Sequence, residues 1–187
     1  MKASIKIIIL LLLTHIVMAQ NHRIKDNQLL IINEITGKSV KINTSASTLK
    51  NFGTLLQKKE LDQTIEPSTH FIEHTFSNIV FYESVQGKIS SFRTQSKEIS
   101  IAVKNIFSFS PGDHINDIRE VFPEAVMNAK FWERRGNEKT DFLYVSLPMY
   151  WFDKTINEYV TSVYSGIGLS FNAETKILEE IRYWITP

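Results

Sequence analysis

From residue 29 onward, apolar and polar positions alternate in short runs cut by turn residues. Leu29 to Ile35, Gly37-Lys38 and Val40 to Ile42 read as a hairpin. Ser45 to Thr48 set hydroxyl caps ahead of Leu49 and Phe52, and Gly53 follows, which predicts a short helix. Ile79 to Ser84, Lys88 to Thr94 and Glu98 to Val103 read as three strands with turns at Gln86-Gly87 and Gln95-Ser96. In the third, Ile99, Ile101 and Val103 alternate with Glu98, Ser100 and Ala102, the pattern of one buried face.

The second half carries a similar order. Ile106 to Ser110 leads into Pro111-Gly112-Asp113, where Asp113 is a good N-cap. Ile115, Ile118 and Phe122 share one helical stripe that Pro123 ends. Val126 to Glu133, Phe142 to Leu147, Tyr159 to Tyr164, Gly168 to Phe171 and Ile177 to Ile185 are strand candidates, with a tight turn at Asn172 to Thr175. Each half thus reads as a short capped helix followed by a meander, and Gly87 to Phe92 echoes Gly166 to Phe171. The expected fold class is α+β: an antiparallel β-meander sheet with short helices packed on one face, in two tandem repeats over residues 20–104 and 105–187.

The first 19 residues stand apart. Lys2 and Lys6 precede an apolar run from Ile7 to Met18, and Val17-Met18-Ala19 supplies small residues for cleavage. The run is about 12 residues, where a membrane span takes about 20. An export signal removed after Ala19 is expected, with a periplasmic or extracellular destination and no integral membrane segment afterwards. Removing Lys2 and Lys6 leaves 19 Lys and Arg against 20 acids, so no electrostatic feature of the whole chain points to nucleic acid. The chain has no Cys, which excludes disulfides and thiolate metal sites, and 12 Phe, 6 Tyr and 3 Trp must supply the packing.

Asn105 to Pro123, a strand, a Gly-Asp turn and a short helix ending in Phe-Pro, resembles the start of a repeat in proteins built like the β-lactamase inhibitory protein. The small outer-membrane assembly lipoproteins share that arrangement. The resemblance implies a curved antiparallel sheet that binds other proteins. Two departures are the missing N-terminal Cys of the lipoproteins and the missing disulfides of the inhibitors.

One segment matches a zinc-peptidase signature: His70, Glu73 and His74 form H-x-x-E-H. Ligation needs a helix, where positions i and i+4 lie about 6 Å apart. On a strand the two histidines stand about 13 Å apart and Glu73 faces the other way. Thr69, Phe71, Ile72, Thr75 and Phe76 favour the strand, so neither a metal nor another cofactor is expected. G-x-S-x-G, P-loop and G-x-G-x-x-G motifs are absent. His114 beside Asp113 and Asp117 reads as a helix cap. Glu179-Glu180 with Glu174 and Arg182 reads as a set of edge charges.

The aromatic run Met149, Tyr150, Trp151 and Phe152 follows Pro148, which predicts a loop that exposes part of its apolar area. Trp132, with Arg134-Arg135, is a second candidate. Aromatics and Met are enriched at protein interfaces. The expected function is therefore an exported, non-catalytic binding module, its partner another exported or envelope protein. A carbohydrate or lipid binder using Trp132, Tyr150 and Trp151, and a zinc-dependent hydrolase, are the alternatives.

Overall fold

The computed structural model describes residues 24–61, 71–132, 141–153 and 155–185, with the backbone only at Asp26, 151–153, 163–164 and Ile185. The expected export signal, His70, Arg134-Arg135 and the side chains of Trp151 and Phe152 lie outside the described residues. Among the described residues no helix is long and apolar enough to cross a membrane.

The chain is mostly β. A nine-stranded sheet contains β1 (Ile24–Lys25), β4 (Leu55–Leu61), β5 (Phe71–Phe76), β6 (Val80–Glu83), β7 (Ile89–Thr94), β10 (Lys130–Trp132), β11 (Phe142–Asp153), β12 (Glu158–Asn172) and β13 (Leu178–Ile185). Its order is β1-β11-β12-β13-β7-β6-β5-β4, and β10 also pairs with β11. The sheet is mixed because β1 runs parallel to β11 while the other pairs are antiparallel. A second sheet has the order β3-β2-β8-β9, from β2 (Leu29–Asn33), β3 (Lys38–Lys41), β8 (Ile99–Val103) and β9 (Phe107–Phe109).

Among the described residues helix is confined to short pieces: 3₁₀ turns at Asp26–Gln28 and Ala46–Asn51, α1 (Ile115–Val121) and α2 (Pro123–Met127). The expected α+β fold of two helix-plus-meander repeats is overturned by this topology. β8 does not continue the meander of β5 to β7 but crosses to pair with β2. The echoing segments are not equivalent either, since Gly87 sits in a turn at φ +69 while Gly166 to Phe171 runs inside the 15-residue β12. Val126, expected in a strand, lies in α2, because Pro123 starts a new helix at its N1 position as readily as it ends the old one. The cap of α1 is also one residue later than expected. His114 Nδ1 accepts from the Asn116 amide and Asp117 Oδ2 from the His114 amide, while Asp113 Oδ2 accepts from the Ser110 amide.

One hydrophobic cluster joins both sheets, the Ala46–Asn51 turn and both α-helices. Phe52 meets Phe76 and Phe81 edge-on, with ring centroids 6.1 and 5.2 Å apart, and Phe92 stacks on Tyr183 at 6.2 Å. Edge-to-face contacts of this kind add to the area burial of each ring. Buried Asn33 is satisfied within this core: its Nδ2 donates to the Phe52 carbonyl at 2.8 Å and its Oδ1 accepts from the Ile35 and Thr36 amides. The sheets are also stitched by backbone bonds. The Asn43 amide donates to the Ile89 carbonyl and the Ile89 amide to the Thr44 carbonyl, while the Gly112 amide donates to the Leu178 carbonyl and the Leu178 amide to the Asp113 carbonyl. All five residues of β8 are buried, so the one-faced pattern expected there does not hold, and Ser100 Oγ bonds Glu34.

Phe81 is fully buried among three other aromatic rings. Phe81→Ala is expected to lower the free energy of unfolding by about 3–5 kcal/mol, read from urea denaturation; a loss below about 1 kcal/mol would contradict this core.

Candidate functional site

In β7, β11, β12 and β13 alternate residues point into the core and the residues between them point to the other face of the sheet. Val145, Leu147 and Met149 of β11, Ile167, Leu169 and Phe171 of β12, Ile181 and Tyr183 of β13 and Phe92 of β7 fill the core. Their neighbours along each strand must point the opposite way. That opposite face carries Tyr144, Ser146 and Pro148, then Gly166, Gly168 and Ser170, then Glu180, Arg182 and Trp184, then Arg93.

A cleft of about 570 Å³ lies on this face, lined by Arg93, Gln95, Trp132, Phe142, Tyr144, Ser170, Glu180, Arg182 and Trp184. A neighbouring hollow of about 400 Å³ shares Arg93, Gln95 and Glu180 with it. Two glycines lie under two of its aromatic rings. Gly166 pairs with Trp184 across the strands, and a Cβ on it would stand 2.7 Å from Trp184 Cζ2. A Cβ on Gly168 would stand 2.5 Å from Tyr144 Oη. Glycine here therefore serves close approach, letting both rings lie on the backbone of β12. The rings are 6.3 Å apart and tilted by 38°.

The polar side of the cleft is built around Glu180, which is only 6% exposed. Its Oε1 accepts from Arg182 Nε and its Oε2 from Gln95 Nε2 at 2.8 Å. Burial lifts the Tyr144 hydroxyl above its ordinary value, against a smaller downward pull from Arg182. Tyr82, further along the same face, is also pushed up, first by burial and then by the charge of Glu73 and a hydrogen bond to it, while Arg93 and Arg182 oppose the rise.

The sequence candidates fall differently from expectation. Trp132 is 52% exposed and lines the cleft. Met149 is a fully buried core residue and Tyr150 is half-buried. The expected aromatic loop is instead the end of β11, with Tyr150, Trp151 and Phe152 paired to Thr161, Val160 and Tyr159. Pro148 is tolerated in this strand because β10 covers only residues 142–144 and β1 only 149–150, and the pairing with β12 is irregular from Pro148 to Tyr150. Glu180 and Arg182 are not edge charges, since β13 lies between β12 and β7.

Of the zinc signature, Glu73 and His74 fall within the described residues. Residues 71–76 form a strand, so Glu73 and His74 face opposite ways. His74 Nε2 lies 2.7 Å from Glu83 Oε2, with Lys58 Nζ 3.9 Å from the same oxygen, whereas Glu73 Oε1 accepts from Thr75 Oγ1 at 3.2 Å. The signal that reading the sequence missed is the pair of alternations Gly166-x-Gly168 and Glu180-x-Arg182-x-Trp184, which place ring, cation and bare backbone on one surface.

Compared with known proteins, the chain matches no family model, no curated protein and no solved structure. Its functional reading therefore stands on this geometry.

Gly168→Ala is expected to destabilise by about 1–3 kcal/mol, through displacement of the Tyr144 ring. In a Tyr144→Ala background the same change should cost less than about 1 kcal/mol; equal losses in both backgrounds would show that the ring does not rest on Gly168. Tyr144 and Tyr82 hold their protons more tightly than in the unfolded chain. The unfolded chain therefore deprotonates first, and stability should decline as pH rises through and beyond 10. Phenolate absorbance at 295 nm checks this, and a fully normal tyrosine titration curve would contradict it.

Proposed function

We propose that this chain is an exported, non-catalytic binding module whose recognition surface is the solvent face of the large sheet, and that its partner is another exported or envelope protein. The observation that carries the reading is the composition and mounting of the cleft. Trp132, Trp184, Tyr144, Arg93 and Arg182 are the residue types that dominate interface energetics. Trp184 and Arg182 stand on the central strand β13, and Tyr144 is seated on the backbone of β12. Side chains mounted on such strands lose little freedom on binding.

Holding rather than turnover fits the polar groups. Glu180, the one carboxylate lining the cleft among the described residues, is already engaged by Arg182 and Gln95. A general acid or base needs a free edge aimed at a substrate proton. A carbohydrate ligand is a second reading, favoured by one observation: Trp184 and Tyr144 lie along the sheet, as rings that stack on sugars do.

The mature protein, residues 20–187, should capture a protein from the envelope or culture fluid of its native host. Trp132→Ala, folded by circular dichroism, should weaken the isolated complex by about tenfold or more in calorimetry, the loss typical of an interface anchor. Equal affinity of variant and wild type, or displacement of the partner by neutral oligosaccharides, would overturn the protein-binding reading.

A further inference from the structure

Arg93 and Arg182 are direct cross-strand partners on β7 and β13, and both point to the solvent face. Like charges placed opposite one another in a sheet destabilise it. Glu180 relieves only part of this. Its carboxylate takes the Nε edge of Arg182 and the amide of Gln95, and with 6% exposure it is turned inward. The Arg182 side chain remains 57% exposed, with its Nε on Glu180. Arg93 is exposed and, among the described residues, has no carboxylate within ion-pair distance. Glu73, on the same face at β5, is engaged by Thr75 and Tyr82.

The cleft thus keeps two guanidinium groups side by side with one inward carboxylate, on a chain whose charges otherwise nearly cancel beyond residue 19. A carboxylate from outside would restore balance, because the guanidinium fork matches its geometry and such charge-assisted bonds are the strong ones. Beside the pair, Trp184 follows Arg182 by two residues on the same face, and Tyr144 lies next to Trp184. We propose that Arg93 and Arg182 form the anchor for a Glu or Asp carboxylate of the partner, presented next to an apolar or aromatic side chain that covers Trp184. This rests on the reading of the same face as a protein-recognition surface.

The probes are acetyl-Trp-Glu-Trp-amide and its Gln counterpart, titrated to about 10 mM into ¹⁵N-labelled residues 20–187. The Glu peptide is expected to shift the Arg93 and Arg182 Nε–H and Trp184 indole N–H signals. It should bind about tenfold more tightly than the Gln peptide at low salt and lose that advantage near 0.5 M salt, roughly. Arg93→Gln should erase the Glu preference while raising the midpoint of thermal unfolding by about 1–3 °C, since it removes a like-charge pair.

Equal binding of both peptides at the Trp184 signal would overturn the carboxylate anchor while leaving the recognition face intact. No shift with either peptide would overturn both. A uronate-containing oligosaccharide that binds through Arg93 when the peptides do not would overturn the protein carboxylate as the occupant. A lower thermal midpoint for Arg93→Gln would assign Arg93 an internal partner and remove the basis of the proposal.

Discussion

Everything here depends on the one-sided burial of a wide sheet. The second sheet, the Ala46–Asn51 turn and the two helices join the large sheet in one core. The pleat then dictates the rest, because each inward residue in β7, β11, β12 and β13 fixes an outward neighbour. The row Leu147, Ile167, Tyr183 and Phe92 is continuous across four strands, from β11 through β12 and β13 to β7. A slip of one residue in any of those pairs would exchange core for surface, so the register of the outer face is as firmly set as that of the core.

The cleft follows from that constraint plus two local choices. Gly166 and Gly168 remove side chains where β12 would otherwise raise a ridge, and the rings of Trp184 and Tyr144 settle into the space. Glu180 brings a carboxylate beneath Arg182, where partial burial strengthens their attraction. The surface thereby joins an apolar floor to a guanidinium rim, carried mostly by the interior strands β7, β11, β12 and β13, with Trp132 on the flanking strand β10 and Gln95 in the loop after β7. Rigid mounting of this kind suits recognition, because the side chains are ordered before a partner arrives.

Much of the strand content was legible in the sequence, since the period-two runs at Leu29 to Ile35, Lys88 to Thr94 and Ile177 to Ile185 fall on β2, β7 and β13. Sheet membership was not. A run of alternating residues carries no label for its partner, so β8 read as the next strand of a meander although its bonds go to β2. Long strands were also cut too early. Pro148 within β11 and Gly166 and Gly168 within β12 look like punctuation locally, while the continuous pairing with neighbours overrides them. Of the candidate residues, Trp132 lines the cleft, whereas Met149, expected in an exposed loop because three aromatics follow it, fills the core. Arg182 and Glu180 were visible as charges, but their value depends on Arg93, about ninety residues away in the chain and directly opposite in space.

The surface proposed to meet the partner is the solvent face of the large sheet around the cleft. It is tested most directly by a photoreactive benzoylphenylalanine placed in the full chain at Ser146, beside the cleft, and in separate variants at Leu56 on β4 and Lys41 on β3, all three exposed. After irradiation in the native host, a cross-linked protein from position 146 and none from 56 or 41 is expected. Cross-links from 56 or 41 with none from 146 would contradict it.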